Sequence, residues 1–128
     1  MDLKIAGKNT LVTGSSRGIG FQIAETFLLE GSSVFITSRD KQKLSEAHSR
    51  LLASCNNKHI YSYPCDCEDQ SSLSSLRIEL EKKLSSLDIL ICNVGSGKAN
   101  NSTLPSPQEF MNTFSTNFLS AYNTIFEF

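Results

Sequence analysis

The sequence predicts an α/β fold, a doubly wound parallel sheet that is truncated after its fourth strand and the helix that follows. Three observations carry this expectation. Short β-branched and apolar runs alternate with longer segments whose apolar residues recur at helical spacing. A glycine-rich turn joins the first run to the first helical segment. The last run, Leu87 to Asn93, is almost wholly apolar, as suits a strand covered on both faces of a parallel sheet.

Asn9 to Thr13 reads as the first strand. Ile19, Ile23, Ala24, Phe27 and Leu28 repeat along a helix from about Arg17 to Glu30, and Gly31 supplies its stop. Ser33 to Thr37 is the second strand. Asp40 can cap the next helix, which carries Leu44, Ala47, Leu51 and Leu52 on one face and breaks at Asn56-Asn57. Ile60 to Tyr63 is the third strand, closed by Pro64. Leu73, Leu76, Leu80 and Leu84 mark a helix from about Asp69 to Ser85. After the fourth strand, Val94 to Pro105 is a loop rich in Gly, Asn and Ser. The last helix starts on a capping box, Ser106 with Glu109, and takes Pro107 at its first position. Phe110, Phe114, Phe118, Ala121 and Ile125 line one side of it, with Asn117 on the buried edge of that stripe. Short right-handed crossovers place the first strand centrally, the fourth on one side, and the second and third on the other.

The 128 residues suffice for one domain, residues 1–128. A net charge of -1 gives no general attraction to nucleic acid or anionic lipid. Met1 to Ile5 has no long apolar core, and the longest apolar runs are too short to cross a bilayer, so the expected location is the cytoplasm. Cys65 and Cys67 form a lone C-x-C, with Cys55, Cys92, His48 and His59 at no matching ligand spacing, so no metal site is expected.

The glycines of Thr13-Gly14-Ser15-Ser16-Arg17-Gly18-Ile19-Gly20 have separate tasks. Gly14 allows a tight turn, Gly18 a close approach of backbone to phosphate, and Gly20 close packing of helix on sheet. The helix N-terminus then offers free N–H groups to a pyrophosphate. A mononucleotide phosphate loop is excluded, because Phe21 stands where Lys-Ser/Thr would follow the last glycine. The alternative is a plain glycine turn.

Thr13-Gly14-x-x-x-Gly18-x-Gly20 resembles the cofactor motif of the short-chain dehydrogenase/reductase family, whose fold is Rossmann-like. Three further segments match in order. Asp66, with Cys67 beside it, resembles the aspartate that contacts the adenine ring. Asn93-Val94-Gly95 resembles the family's Asn-Ala-Gly, with Val94 a mild departure. Asn117 resembles the asparagine of the catalytic tetrad, which holds an ordered water in a proton relay; an amide bonded only to nearby backbone is the alternative. The resemblance covers essentially the whole chain. It implies an NAD(P)-dependent oxidoreductase that reduces a small-molecule carbonyl or oxidises an alcohol, and that self-associates when full length. The second strand ends in Thr37-Ser38-Arg39, with no acid before Asp40. Arg39, with Ser38 before it and Arg17 nearby, suits a 2′-phosphate and so favours NADP over NAD. The other reading leaves Arg39 in solvent and gives the ribose to Asp40.

The family's serine and Tyr-x-x-x-Lys pair have no match. The tyrosines are Tyr61, Tyr63 and Tyr122, and none has a lysine four residues later. The expectation is therefore the cofactor-binding half of a reductase, inactive by itself. Its fourth strand would be an edge, and Phe126 and Phe128 would be uncovered. The alternative is a non-catalytic nucleotide-binding or dimer-interfering fragment.

Overall fold

The computed structural model describes residues 2–98 and 103–128. The expected loop from Val94 to Pro105 lies partly outside them. Strand β1 is Asn9–Thr13, helix α1 Gly18–Leu29, β2 Ser33–Thr37, α2 Lys41–Ser54, β3 Ile60–Ser62, α3 Gln70–Lys83 and β4 Ile89–Ile91. The closing helical segment comprises α4 Pro107–Phe114, a π-helical turn Ser115–Leu119 and α5 Ser120–Glu127. The sheet is parallel throughout, in the order β3-β2-β1-β4. The winding direction therefore reverses between β1 and β4, as the sequence predicts.

Strand alternation divides the core into two layers. Val12, Val34, Ile36 and Ile60 point to α1 and α2, where they meet Ala24, Leu28, Leu44, Ala47 and Leu51. Their neighbours Leu11 and Phe35 point the other way, to Leu73, Leu76, Leu80 and Leu84. Burying each such side chain contributes about 1.5–3 kcal/mol. Polar groups inside are paired: Thr10 Oγ1 lies 2.8 Å from Ser32 Oγ, and Thr37 Oγ1 donates to the Tyr63 carbonyl at 2.6 Å. Gly31, at φ +85°, ends α1 in the left-handed conformation, and the Ser32 N–H returns to the Phe27 carbonyl.

Four expectations are corrected here. β4 is shorter than Leu87 to Asn93 and only half-buried, because it pairs with β1 alone at the edge of the sheet. The aromatic stripe of the last helix faces solvent. Phe110, Phe114, Phe118 and Tyr122 stack one on the next, with ring centroids 6.4, 5.0 and 6.5 Å apart. The buried side is made by Ser120 and Thr124, whose hydroxyls donate to the carbonyls four residues back. A hydroxyl satisfied within its own helix can be buried cheaply, and a small side chain lets α5 approach α3 closely. Asn117 is accordingly exposed rather than at a buried edge. Phe126 is exposed, as expected, whereas Phe128 packs against the second core layer. Among the described residues, no helix is long and apolar enough to cross a membrane.

Glu127 fastens α5 to α3. Its carboxylate accepts from Arg77 Nε at 2.8 Å, Gln70 Nε2 at 2.6 Å and Ser74 Oγ at 3.3 Å. The Arg77 hydrogen bond, above all, holds its pKa below the ordinary glutamate value of 4.5. A depressed carboxylate stabilises the fold above its unfolded pKa, and that contribution is lost as pH falls through the folded pKa. Glu127→Gln should lower the thermal midpoint by about 1–4 °C at pH 7. The difference from wild type should shrink as the pH falls below the ordinary glutamate value; a difference that stays constant down through the acid range would refute the assignment.

Candidate functional site

The glycine turn is held from beneath by Ser15. Its Oγ donates to the Val12 carbonyl at 2.7 Å and accepts from the Thr37 N–H at 3.1 Å, tying the end of β1 to the end of β2. Ser15 is fully buried, so it supports the turn from inside rather than facing a ligand. Gly14 and Gly18 have φ of +60° and +58°. A Cβ at Gly18 would meet nothing within 4 Å, which leaves an open cradle over the start of α1. Gly20 is enclosed: a Cβ there would lie 2.5 Å from both Asn93 Nδ2 and the Gly14 carbonyl oxygen.

The N-terminus of α1 has no side-chain cap, and Arg17 before it is extended at φ -160°. The other helices at this end are capped, α2 by Asp40, α3 by Asp69 and α4 by Ser106. Free N–H groups and a partial positive charge therefore face the cradle.

The cradle opens into a cleft of about 700 Å³ where β1 and β4 diverge. Of the residues predicted from the sequence, Gly14, Ser16, Arg17, Gly18, Ile19, Ser38, Arg39, Asp66, Cys67, Asn93, Val94 and Gly95 line it. Ser15 and Gly20 form its support instead. Asp40, the alternative partner for the ribose, lines it too, as do Lys43, Cys65 and Glu68, which carry no signal of a site in the sequence. A second groove, largely apolar, shares Arg17, Gly18 and Ile19 with the cleft and runs from there along α1 to Phe27 and Arg50.

At the β2 end, Asp40 is committed to its helix. Its Oδ1 accepts from the Lys43 N–H at 3.0 Å and its Oδ2 lies 3.3 Å from Lys43 Nζ. The Lys43 backbone bond holds its pKa below the ordinary aspartate value. Arg39 extends past it, and its Nη1 lies 3.9 Å from Glu68 Oε2. Across the cleft, Asp66 accepts from the Glu68 N–H at 3.0 Å and its own N–H donates to Ser72 Oγ. The Cys67 thiol hydrogen-bonds the Cys65 sulfur, which lowers the pKa of Cys65 and raises that of Cys67. Among the described residues, no group of His, Cys, Asp and Glu could hold a metal ion.

At the β4 end, Asn93 ties β4 to the end of β1 and the turn that follows it. Its N–H donates to Thr13 Oγ1 at 3.0 Å and its Nδ2 to the Gly14 carbonyl at 3.0 Å. Asn117 grips Ser96 from both sides. Its Oδ1 accepts from the Ser96 N–H at 2.6 Å and its Nδ2 donates to the Ser96 carbonyl at 3.0 Å. The amide of Asn117 thus spends one donor and one acceptor on the Ser96 backbone, and it fixes the segment after β4 beside Gly95.

The sequence model described as short chain dehydrogenase matches residues 8–128. Over 113 residues the chain is 31% identical to chlorophyll(ide) b reductase NOL of Oryza sativa subsp. japonica, covering 87% of this chain and 33% of that protein. Among solved structures, the Pseudomonas aeruginosa RhlG/NADP active-site complex superposes with a TM-score of 0.86 at 29% identity, over 96% of this chain and 47% of that one. An NADPH-bound short chain oxidoreductase from the same organism gives a TM-score of 0.90 at 25% identity, over 94% and 47%. The chain thus spans about a third of that curated relative and about half of each structure.

Gly20→Ala should destabilise the fold by about 1–3 kcal/mol, since a buried methyl must displace the Gly14 backbone or the Asn93 amide. Gly18→Ala places its methyl in open space and should cost only the strain of its positive φ, about 1 kcal/mol. Denaturant unfolding of both variants checks the order; an equal or reversed cost would show that the approach at Gly20 is not close.

Proposed function

The chain belongs to the short chain dehydrogenase family, and we propose that it holds NADP(H) in the cleft between β1 and β4 as the cofactor-binding part of an oxidoreductase. The reaction would be reduction of a small-molecule carbonyl or oxidation of an alcohol. Residues 1–128 would form one nucleotide-binding domain, completed by further chain.

The observation that carries this reading is the uncapped start of α1 beneath an open glycine cradle, at the point where the sheet reverses its winding. Backbone N–H groups with a partial positive charge suit a pyrophosphate there. The Gly18 cradle is space that any side chain would fill. Arg39 would pair with the 2′-phosphate and Arg17 would add a second positive charge. Asp40 is a poor candidate for the ribose hydroxyls, because capping α2 occupies it. Two structures with which the chain superposes hold NADP or NADPH, which supports the same choice.

Asp66 and Cys67 would border the adenine, and Asn93, Val94 and Gly95 the nicotinamide side. When bound, the cofactor supplies or accepts a hydride. The residues of this chain bind, orient and exclude water. Asn117 would act by positioning Ser96 and the segment that follows β4. The proton donor is proposed to lie on chain beyond these residues, since no tyrosine here has a lysine four residues on. The exposed ladder of Phe110, Phe114, Phe118 and Tyr122 would serve self-association of the whole protein.

Arg39→Ala should weaken NADPH about tenfold while changing NADH less than about twofold, as loss of one exposed charge-assisted contact implies. Fluorescence titration of both nucleotides checks it. Equal losses for the two would remove the 2′-phosphate from Arg39. Residues 1–128 alone should bind NADPH without oxidising it in the presence of carbonyl compounds; turnover by these residues would refute the placement of the proton donor.

A further inference from the structure

Glu68 lines the cleft and has no part in the function just proposed. Its side chain is only 26% exposed, at the rim of the cleft. Both carboxylate oxygens are held by the last helical segment: Ser115 Oγ donates to Oε1 at 2.6 Å and Thr116 Oγ1 to Oε2 at 3.2 Å. That second oxygen also lies 3.9 Å from Arg39 Nη1. The separation is too long for a hydrogen bond, so the contact is one of charge and leaves the guanidinium donors open towards the cleft. The carboxylate thus serves two roles, as acceptor for the two hydroxyls and as the negative charge that faces Arg39.

Resting on the NADP(H) reading above, we infer that Glu68 is a specificity-determining residue: its carboxylate, fixed by Ser115 and Thr116, competes with the 2′-phosphate for Arg39. A 2′-phosphate carries close to two negative charges at neutral pH. Seated on Arg39, it meets a carboxylate that cannot swing away without breaking two hydrogen bonds. Glu68 thereby weakens 2′-phosphorylated nucleotides selectively and narrows the preference that Arg39 creates. Nucleotides without the 2′-phosphate lack the group that the carboxylate repels, so they serve as the internal control.

The test is calorimetric titration of the whole encoded polypeptide with adenosine 2′,5′-bisphosphate and with adenosine 5′-monophosphate. Glu68→Gln retains an acceptor for one hydroxyl and removes the charge; Glu68→Ala removes both. Each should tighten the bisphosphate about three- to fivefold, the worth of an exposed ion pair, and leave the monophosphate within about twofold. Arg39→Ala should weaken the bisphosphate alone, and Glu68→Gln added to it should tighten that ligand by less than in the wild type. If Arg39→Ala weakens the bisphosphate but neither Glu68 variant tightens it, the inference fails and the NADP(H) reading stands. Parallel weakening of both ligands by the Glu68 variants marks a merely structural residue and also overturns it. If Arg39→Ala leaves the two ligands alike, the NADP(H) reading fails and the inference goes with it.

Discussion

The hydrogen bond from Asn93 Nδ2 to the Gly14 carbonyl is the contact on which the cleft depends. It links the end of the edge strand to the turn after the central one. It can form only because Gly20 has no side chain to stand between them. The backbone N–H of Asn93 and the hydroxyl of Thr13 make a second link one residue away. The two bonds fix how far apart β1 and β4 are when they reach the crevice. A ligand entering there meets walls whose spacing was set by a single amide and a missing methyl group.

Most of the sheet was legible because its signals are local. The periods of 2 and 3.6 in Leu11-Val12, Val34-Phe35-Ile36 and Leu73-Leu76-Leu80 reflect burial on defined faces, and the structure buries them there. Caps were legible for the same reason: Asp40 and Ser106 act on N–H groups three residues away. The glycine spacing gave the turn, and the turn gave the position of the cleft.

What the sequence concealed involves choices that periodicity does not make. A stripe at spacing i, i+4 says that Phe110, Phe114 and Phe118 share a side, not which way the side faces. Ser120 and Thr124 give no apolar signal, yet their hydroxyls are consumed within the helix and they are the residues buried against α3. The π-helical turn at Ser115–Leu119 adds to this, since it departs from the 3.6-residue repeat by which faces are assigned. Ser15 stands in the glycine motif with nothing local to show that its hydroxyl is buried and braces β1 against β2. Glu68 gave no local signal at all, because its partners lie 47 and 48 residues away in the chain.

The sheet order has a dynamic consequence. β1 is hydrogen-bonded on both sides and its turn is tied to β2 through Ser15, so its amides open only with the fold as a whole. β4 has a single strand neighbour and a three-residue ladder. Within these residues the two jaws of the crevice are therefore braced to different depths: the glycine turn through a strand on each side, and the side that carries Asn93, Val94 and Gly95 through one ladder and the Asn93 bonds to Thr13 and Gly14.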